Sequence, residues 1–266
     1  MEKHFFTQNL KLGYEDKIIV HNLNVSIPIG KVTALVGANG CGKSTILKTL
    51  ARLLEPKEGQ VILDGKEIHR YATKEVAKEL AILPQNPIAP EGLTVSELVA
   101  YGRYPHQSAF SSNTKEDFRI IRWAIAATGL SEFEDRLVDE LSGGQRQRAW
   151  IALALAQRTP ILLLDEPTTF LDMGHQLEVL KLIRKLNQEQ NCTIVMVVHD
   201  LNHAIRFANH IVCIKDGDVY VEGPPTEVLT EDVLRNVFQI EATILIEPKT
   251  NLPVCIPTDS YTEDSI

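Results

Sequence analysis

Residues 37 to 44 read GANGCGKS, a glycine-rich loop of the kind that binds phosphate groups. The loop follows the apolar run VTALVG, which predicts a buried strand, and it precedes a helical pattern that begins at Ile46. Glycines let the backbone N–H groups and the helix N-terminus point at phosphate oxygens. We therefore expect Lys43 to reach the β- and γ-phosphates of a nucleotide and the Ser44 hydroxyl to bind Mg²⁺.

A second group of chemically capable residues ends the run ILLLDE, from 161 to 166. The run predicts a buried strand, which would place the Asp165 carboxylate beside a metal ion at the edge of the sheet. Glu166 follows directly and could polarise an attacking water molecule. An apolar strand that ends in Asp-Glu also occurs as a plain surface turn, so this run alone leaves both interpretations open.

A third group, Leu141-Ser142-Gly143-Gly144-Gln145, opens another helical pattern and is called the signature segment below. A serine and two glycines at a helix start form a second anion cradle. If this cradle cannot reach the phosphate loop of its own chain, two copies arranged head to tail would bury two nucleotides between them.

The patterns around these groups predict an α/β architecture. Apolar and polar residues alternate near the N-terminus, which is typical of half-buried strands. The runs 32–37, 161–166 and 193–200 are apolar almost throughout, as in parallel strands buried on both faces, and each precedes a helical pattern. Ligands are expected at the carboxyl ends of such strands. Helical patterns between about 86 and 158 predict an inserted helical lobe, and Asp216-Gly217 predicts the turn of a hairpin.

Composition excludes several classes of protein. The 266 residues carry a formal charge of −8, which argues against a general nucleic-acid binder, so we expect no nucleic-acid partner. Cys41, Cys192, Cys213 and Cys255 lack CxxC spacing, so neither a zinc site nor a disulfide framework is predicted. No apolar stretch approaches about 18 residues and no secretory signal is visible, so we expect a soluble chain that meets a membrane only through a partner.

Five segments in this order, GANGCGKST, LPQ, LSGGQRQR, ILLLDEPTTFLD and VVHD, resemble the ATPase subunits of ATP-binding-cassette transporters. The resemblance extends from Tyr14 to about Leu234. It implies a P-loop NTPase fold with a mixed-sheet RecA-like core, an N-terminal antiparallel β subdomain and an inserted α-helical subdomain. We expect one domain over 1–266, in which 1–85 and 159–240 form the core, 86–158 the helical subdomain and 241–266 a C-terminal tail.

The resemblance also implies ATP and Mg²⁺ as cofactors and gives roles to single residues. Tyr14 would stack on the adenine, and Gln85 would sense the γ-phosphate and metal while linking to a membrane partner. The serine and glycines of the signature segment would contact the γ-phosphate bound by the opposite subunit. Asp172 would join the two sites, and His199 would hold the γ-phosphate and water.

Three sets of residues follow from these roles. The expected catalytic residues are Glu166, His199, Lys43 and Gln85. The expected metal ligands are Ser44, Gln85 and Asp165. The expected ATP-binding residues are Tyr14, Gly37, Ala38, Asn39, Gly40, Cys41, Gly42, Lys43, Ser44, Thr45, Gln85, Ser142, Gly143, Gly144, Gln145, Asp165 and Asp172. The chain departs from the family pattern at Ala38, where proline is frequent, and at Phe170 and Leu171 before Asp172, but neither departure removes a ligand.

The segment Gly102-Arg103-Tyr104-Pro105-His106-Gln107, or GRYPHQ, looks like that of importers for iron(III)-siderophore complexes, within the wider iron-chelate and cobalamin group. This implies a peripheral protein at the cytoplasmic face of the cell membrane, with integral permease subunits and, indirectly, an external siderophore-binding protein. A second interpretation makes Arg103, Tyr104 and His106 ordinary surface residues of a helix end.

Other functions remain as alternatives. Import of cobalamin, haem or another chelate is the closest one. A non-transport cassette ATPase acting on ribosomes or DNA would carry tandem cassettes, a coiled-coil insertion or basic arms, and none is visible. A soluble P-loop phosphotransferase would need no signature segment. The sequence does not decide which chelate or permease is served, or what the tail does.

Overall fold

The computed structural model describes residues 4–107 and 113–261. The chain forms two compact units, a first unit of Met1–Arg70 with Thr193–Ile266 and a second unit of Tyr71–Cys192. The subdomain boundaries expected at 85/86 and 158/159 stay a prediction, and residues 1–3, 108–112 and 262–266 of the expected ranges lie outside the described residues.

Strands and helices alternate along most of the chain. The strands are β1 Phe5–Tyr14, β2 Lys17–Leu23, β3 Val32–Gly37, β4 Glu58–Leu63, β5 Lys66–Glu67, β6 Leu80–Leu83, β7 Ile161–Asp165, β8 Thr193–Val197, β9 His210–Lys215, β10 Asp218–Gly223, β11 Ile240–Ile246 and β12 Pro253–Ser260. The α-helices are α1 Lys43–Leu50, α2 Thr73–Glu79, α3 Val95–Ala100, α4 Lys115–Ala127, α5 Gly143–Ala156, α6 Met173–Gln190, α7 Leu201–Phe207, α8 Pro225–Val228 and α9 Glu231–Phe238. Short 3₁₀ helices cover Ile68–Arg70, Tyr101–His106, Ser131–Phe133 and Val138–Glu140.

The first unit contains the predicted N-terminal antiparallel sheet, in the order β2-β1-β4-β5. Leu10 and Leu12 of β1 and Leu23 of β2 are buried, whereas Lys11 between the two β1 leucines is partly exposed, as the alternating pattern predicts. The alternation arises because successive side chains point to opposite faces of a strand.

Parallel strands form the core of the first unit. Strand β3 lies between β8 and β9 and is parallel to both, while β10 runs antiparallel to β9. Every residue of β3 and β8 is buried, which confirms the prediction of strands covered on both faces. The β9–β10 hairpin turns at Asp216 (φ 50°) and Gly217 (φ 82°), as the Asp-Gly pair predicts.

The second unit contains the parallel pair β6 and β7 and the predicted helical insert. Helices α3, α4 and α5 pack against one another, and α5 also contacts β6. Each of the three starts with a capping box, formed by Thr94 with Glu97, Thr114 with Asp117 and Ser142 with Gln145. The sequence patterns did not reveal β6, because a strand of four residues is too short to show a period.

The GRYPHQ segment is fixed to the C-terminal end of α5. A Cβ added to Gly102 would lie 2.3 Å from the Leu153 carbonyl oxygen, so only glycine fits there. The Arg103 guanidinium donates to the Ala156 carbonyl oxygen at 2.7 Å. His106 Nε2 lies 2.7 Å from the Gln157 carbonyl oxygen. Tyr104, by contrast, is 68% exposed.

Arg103 is buried, which corrects the interpretation that it is a surface residue. Its Nε donates to Asp117 Oδ1 at 2.8 Å, and both side chains are less than a tenth exposed. Burial by itself raises the pKa of Asp117, but hydrogen bonds from the Thr114 backbone and from Arg103 lower it to about 2. The ion pair joins the 3₁₀ helix at 101–106 to α4.

The tail forms the antiparallel hairpin β11–β12. The Asn202 side chain of α7 donates to the Cys255 carbonyl oxygen at 3.0 Å and accepts from the Cys255 N–H at 2.8 Å. These two bonds attach the hairpin to α7 within the first unit. Within 4–107 and 113–261, no helix has the length and apolar character needed to cross a membrane.

Candidate nucleotide-binding site

The phosphate loop joins the end of β3 to the start of α1 in the first unit. Gly37, Gly40 and Gly42 have φ of 145°, 80° and 104°, a region of backbone conformation that residues other than glycine rarely adopt. A Cβ at Gly37 would also lie 2.2 Å from the Ile214 carbonyl oxygen of β9. No side chain caps the start of α1, so this helix start offers backbone N–H groups of the kind that bind anions.

Lys43 is held inside the loop. Its side chain is buried, and Nζ donates to the carbonyl oxygens of Gly37 at 2.9 Å and Ala38 at 2.8 Å. Carbonyl oxygens are weaker partners for an ammonium group than phosphate oxygens, which carry full charge. The donors at this loop, an ammonium group, backbone amides and the hydroxyls of Ser44 and Thr45, therefore fit a bound polyphosphate.

A cavity of about 610 Å³ lies beside the loop, within the first unit. Its lining includes residues 38–41 of the loop, Lys17 to Ile19 of β2, and Gln239 just after α9. The volume falls in the range of small-molecule sites. Tyr14, the expected adenine partner, is at the end of β1 and 45% exposed, three residues before the lining of β2 begins.

Sequence patterns did not reveal the part of this cavity lining that comes from the C-terminal end of α9 and the residue after it. Asn236, Val237 and Gln239 line the cavity although they are almost 200 residues from the loop in sequence. Only the packing of α9 onto the first unit brings them there. No local pattern could have revealed that contact.

The second unit positions the expected catalytic carboxylate. Asp165 ends β7 and is 1% exposed, and Glu166 follows with φ 53°. Gln85 Nε2 donates to Glu166 Oε2 at 2.5 Å, and Thr169 Oγ1 donates to the same oxygen at 3.0 Å. The structure thus brings Gln85 and Glu166 together and fixes the orientation of the carboxylate. Thr169 was not predicted as a site residue, although it lies in the ILLLDEPTTFLD segment that resembles the family.

The signature segment opens α5 in the second unit. Ser142 Oγ accepts from the Gln145 N–H at 3.3 Å, and Gln145 Oε1 accepts from the Ser142 N–H at 3.0 Å. The space beside Gly143 is open, since a Cβ there would meet nothing within 4 Å. Gly144, by contrast, is buried and lies against the His175 ring. The backbone of the segment is therefore open at Gly143 and covered at Gly144.

Asp172 caps the start of α6, also in the second unit. Its Oδ1 accepts from the His175 N–H at 3.0 Å, and its Oδ2 lies 2.7 Å from His175 Nδ1. The hydrogen bond from the His175 backbone, followed by the one from its side chain, lowers the pKa of Asp172. The neighbouring Phe170 is 88% exposed, with φ 63°.

The remaining expected residue, His199, belongs to the first unit. It is exposed and follows β8 by two residues, immediately before Asp200, which caps α7 by accepting from the His203 N–H at 3.1 Å. The phosphate loop and His199 thus lie in the first unit, and Gln85, Asp165, Glu166, the signature segment and Asp172 lie in the second.

The expected metal ligands supply oxygen atoms. Ser44 offers a hydroxyl, Gln85 an amide carbonyl and Asp165 a carboxylate, and Mg²⁺ prefers oxygen ligands. Mg²⁺ usually binds one or two protein groups together with phosphates. The part of the chain that the structure describes has no group of three or more His, Cys, Asp or Glu side chains that could hold a metal by themselves.

We predict that a maleimide inactivates hydrolysis by modifying Cys41 and that ATP slows the inactivation. Cys41 Sγ lies 3.8 Å from Lys43 Nζ, so an added group would occupy the phosphate loop. Burial raises the pKa of the Cys192 and Cys213 thiols to about 12 and also raises that of Cys255, which makes these thiols slow to react.

The measurement is residual ATPase activity and mass-spectrometric labelling over time, with and without ATP. A Cys41→Ser variant is the matched control and should keep its activity in the presence of reagent. Equal labelling of Cys41 with and without ATP would contradict the prediction.

Comparison with known proteins gives the family. A family model described as "ABC transporter" matches residues 20–169. The chain is 57% identical to the iron(3+)-hydroxamate import ATP-binding protein FhuC of Bacillus subtilis (strain 168), over 95% of this chain and 94% of the relative. It is 47% identical to the ferric enterobactin transport ATP-binding protein FepC of Escherichia coli (strain K12), over 94% of this chain and 92% of the relative.

The fold agrees with that of a solved relative. A dimeric ATP-binding cassette in a post-hydrolysis state, bound to ADP and Pi, superposes with a TM-score of 0.72 at 30% identity. The match covers 83% of this chain and 98% of the solved chain. Since the family model matches more than half of the chain, and since the relatives match almost end to end, this chain belongs to the ABC transporter family.

Proposed function

We propose that the chain is the ATP-binding and ATP-hydrolysing subunit of an importer for iron(III)-siderophore complexes. Two copies would bind ATP and Mg²⁺ head to tail at the cytoplasmic face of the cell membrane. They would act on integral permease subunits, which an external siderophore-binding protein supplies with cargo. The single observation that carries the choice of cargo is the 57% identity, over 95% of the chain, to a protein named for iron(3+)-hydroxamate import.

The geometry of the described residues supports hydrolysis. Lys43 is already held inside the phosphate loop, where it would neutralise charge on the β- and γ-phosphates. Glu166 is oriented by Gln85 and Thr169, so its carboxylate can orient or activate a water molecule. Mg²⁺, when bound, would supply further charge neutralisation between the phosphates.

A second copy would complete each site. The signature segment and the phosphate loop are both suited to anions, and one nucleotide between two copies would use one of each. The open backbone at Gly143 and the helix start behind it would approach the γ-phosphate of the partner's ATP. His199 would hold the γ-phosphate and water from the side of the phosphate loop. Hydrolysis removes the γ-phosphate, and the two copies then separate.

Uptake of radiolabelled iron tests the cargo. The cells would carry Glu166→Gln as their only copy of this chain, and the iron would be presented on a hydroxamate or on a catecholate siderophore. We expect a loss of hydroxamate uptake, in keeping with the relative that is 57% identical. Unchanged uptake of both forms would move the cargo to cobalamin, haem or another chelate and leave the ATPase function in place.

A further inference from the structure

His175, on the first turn of α6, contacts two expected parts of the site that are distant in sequence. Its backbone N–H and its Nδ1 reach the two different carboxylate oxygens of Asp172, at 3.0 and 2.7 Å. With the proton on Nδ1, the ring donates to Oδ2, so a single residue holds both oxygens of the carboxylate. The orientation of Asp172 therefore depends on the position of the His175 ring.

The same ring forms a wall beside the signature segment. A Cβ added to Gly144 would lie 3.2 Å from both Cγ and Cδ2 of the His175 ring. At the neighbouring Gly143 no atom would be within 4 Å of an added Cβ. The ring thus covers one side of the start of α5 and leaves the other side open. A displacement of α5 toward α6 would collide with the ring, and a displacement of the ring would break its bond to Asp172.

We propose that His175 is a positioning residue that holds the start of α5 and the Asp172 carboxylate at a fixed spacing. This role rests on the proposed function, in which both elements meet a second copy of the chain. Two surfaces that are already at the correct spacing lose less conformational freedom when they bind. His175 would therefore strengthen the ATP-dependent association of two copies without contacting ATP itself.

Three variants separate the two contacts. His175→Asn keeps a donor at the position of Nδ1 but loses the ring, His175→Phe keeps a ring but loses the donor, and His175→Ala loses both. All are made together with Glu166→Gln, which slows hydrolysis so that the ATP-bound dimer persists. Sedimentation measures the dimer dissociation constant in Mg-ATP, and a fluorescent nucleotide measures ATP binding to the monomer.

We expect His175→Ala to raise the dimer dissociation constant by about threefold to tenfold, the effect of losing one partly exposed hydrogen bond and a packing contact. Nucleotide binding to the monomer should not change, because Lys43 and the phosphate loop are untouched. The Asn and Phe variants should each recover part of the loss. A residue that only stabilised the fold would lower thermal stability and nucleotide binding together and would not be rescued in this way.

Two results would overturn the role of His175. One is dimerisation of His175→Ala with the affinity of the Glu166→Gln parent. The other is a loss of dimer affinity, nucleotide binding and thermal stability in parallel, with no recovery in the Asn and Phe variants. If the Glu166→Gln parent itself does not dimerise with ATP, the proposed function fails, and the role of His175 fails with it.

Discussion

Glu166→Gln is expected to reduce ATP hydrolysis by about a hundredfold or more, the usual scale for removing a general base. The replacement amide keeps an oxygen that can accept from Gln85 Nε2 and Thr169 Oγ1, so the side chain should stay in place. It cannot accept the proton of an attacking water molecule. ATP binding should therefore persist, and the ATP-bound dimer should accumulate.

The measurements are steady-state phosphate release and the fraction of dimer in Mg-ATP. Glu189→Gln is the matched control, since Glu189 is exposed on α6 and only loosely paired with Lys185 at 3.9 Å. This control should hydrolyse ATP at the parental rate and should not accumulate as a dimer. Turnover of Glu166→Gln at the parental rate would refute the role of Glu166 in activating water.

Arg103→Ala should lower the free energy of unfolding by about 3–5 kcal/mol, because it leaves the buried Asp117 carboxylate without its charged partner. It also removes the donor to the Ala156 carbonyl oxygen. Urea unfolding followed by tryptophan fluorescence suits the test, since the two tryptophans, Trp123 and Trp150, lie on α4 and α5, the helices that carry Asp117 and Ala156.

The control is Arg119→Ala. Arg119 pairs with Glu116 at 2.7 Å, but both side chains are more than half exposed, so the expected loss is at most about 1 kcal/mol. Similar losses for the two variants would contradict the importance of the buried pair.

The pH dependence follows from the lowered pKa of Asp117. The folded value is about 2, below the ordinary value of 3.8, so the charged pair stabilises the fold fully above about pH 4. That contribution is lost as the pH falls from about 4 through 2. The difference in stability between the parent and Arg103→Ala should therefore shrink in that window.

The sequence was sufficient to predict those parts of the candidate site that are formed by residues close to one another along the chain. The phosphate loop, the start of α1 and the buried strands β3, β7 and β8 each follow from a short run of residue types, so their positions could be predicted. The same holds for the capping serine of the signature segment, because its partner Gln145 is three residues away. These features depend on backbone conformation that local side chains determine.

Contacts between distant segments could not be predicted. Gln85 and Glu166 are 81 residues apart, and the buried pair of Arg103 with Asp117 depends on how the 3₁₀ helix at 101–106 packs on α4. A sequence pattern records which side chains are apolar, but it does not record which polar group fills a given gap. For that reason Arg103 could not be distinguished from a surface residue, and no role was predicted for His175.

The attachment of GRYPHQ to α5 has a mechanical consequence. Helix α5 has 14 residues and is about 21 Å long at the usual rise per residue, with Gly143 at one end and Ala156 at the other. Gly102, Arg103 and His106 contact the Ala156 end of α5, which is called the far end here. A tilt applied to this end through the exposed Tyr104 would therefore displace the other end, at Gly143, as in a lever. A tilt of about 10° would shift the near end by roughly 3–4 Å, more than the length of a hydrogen bond.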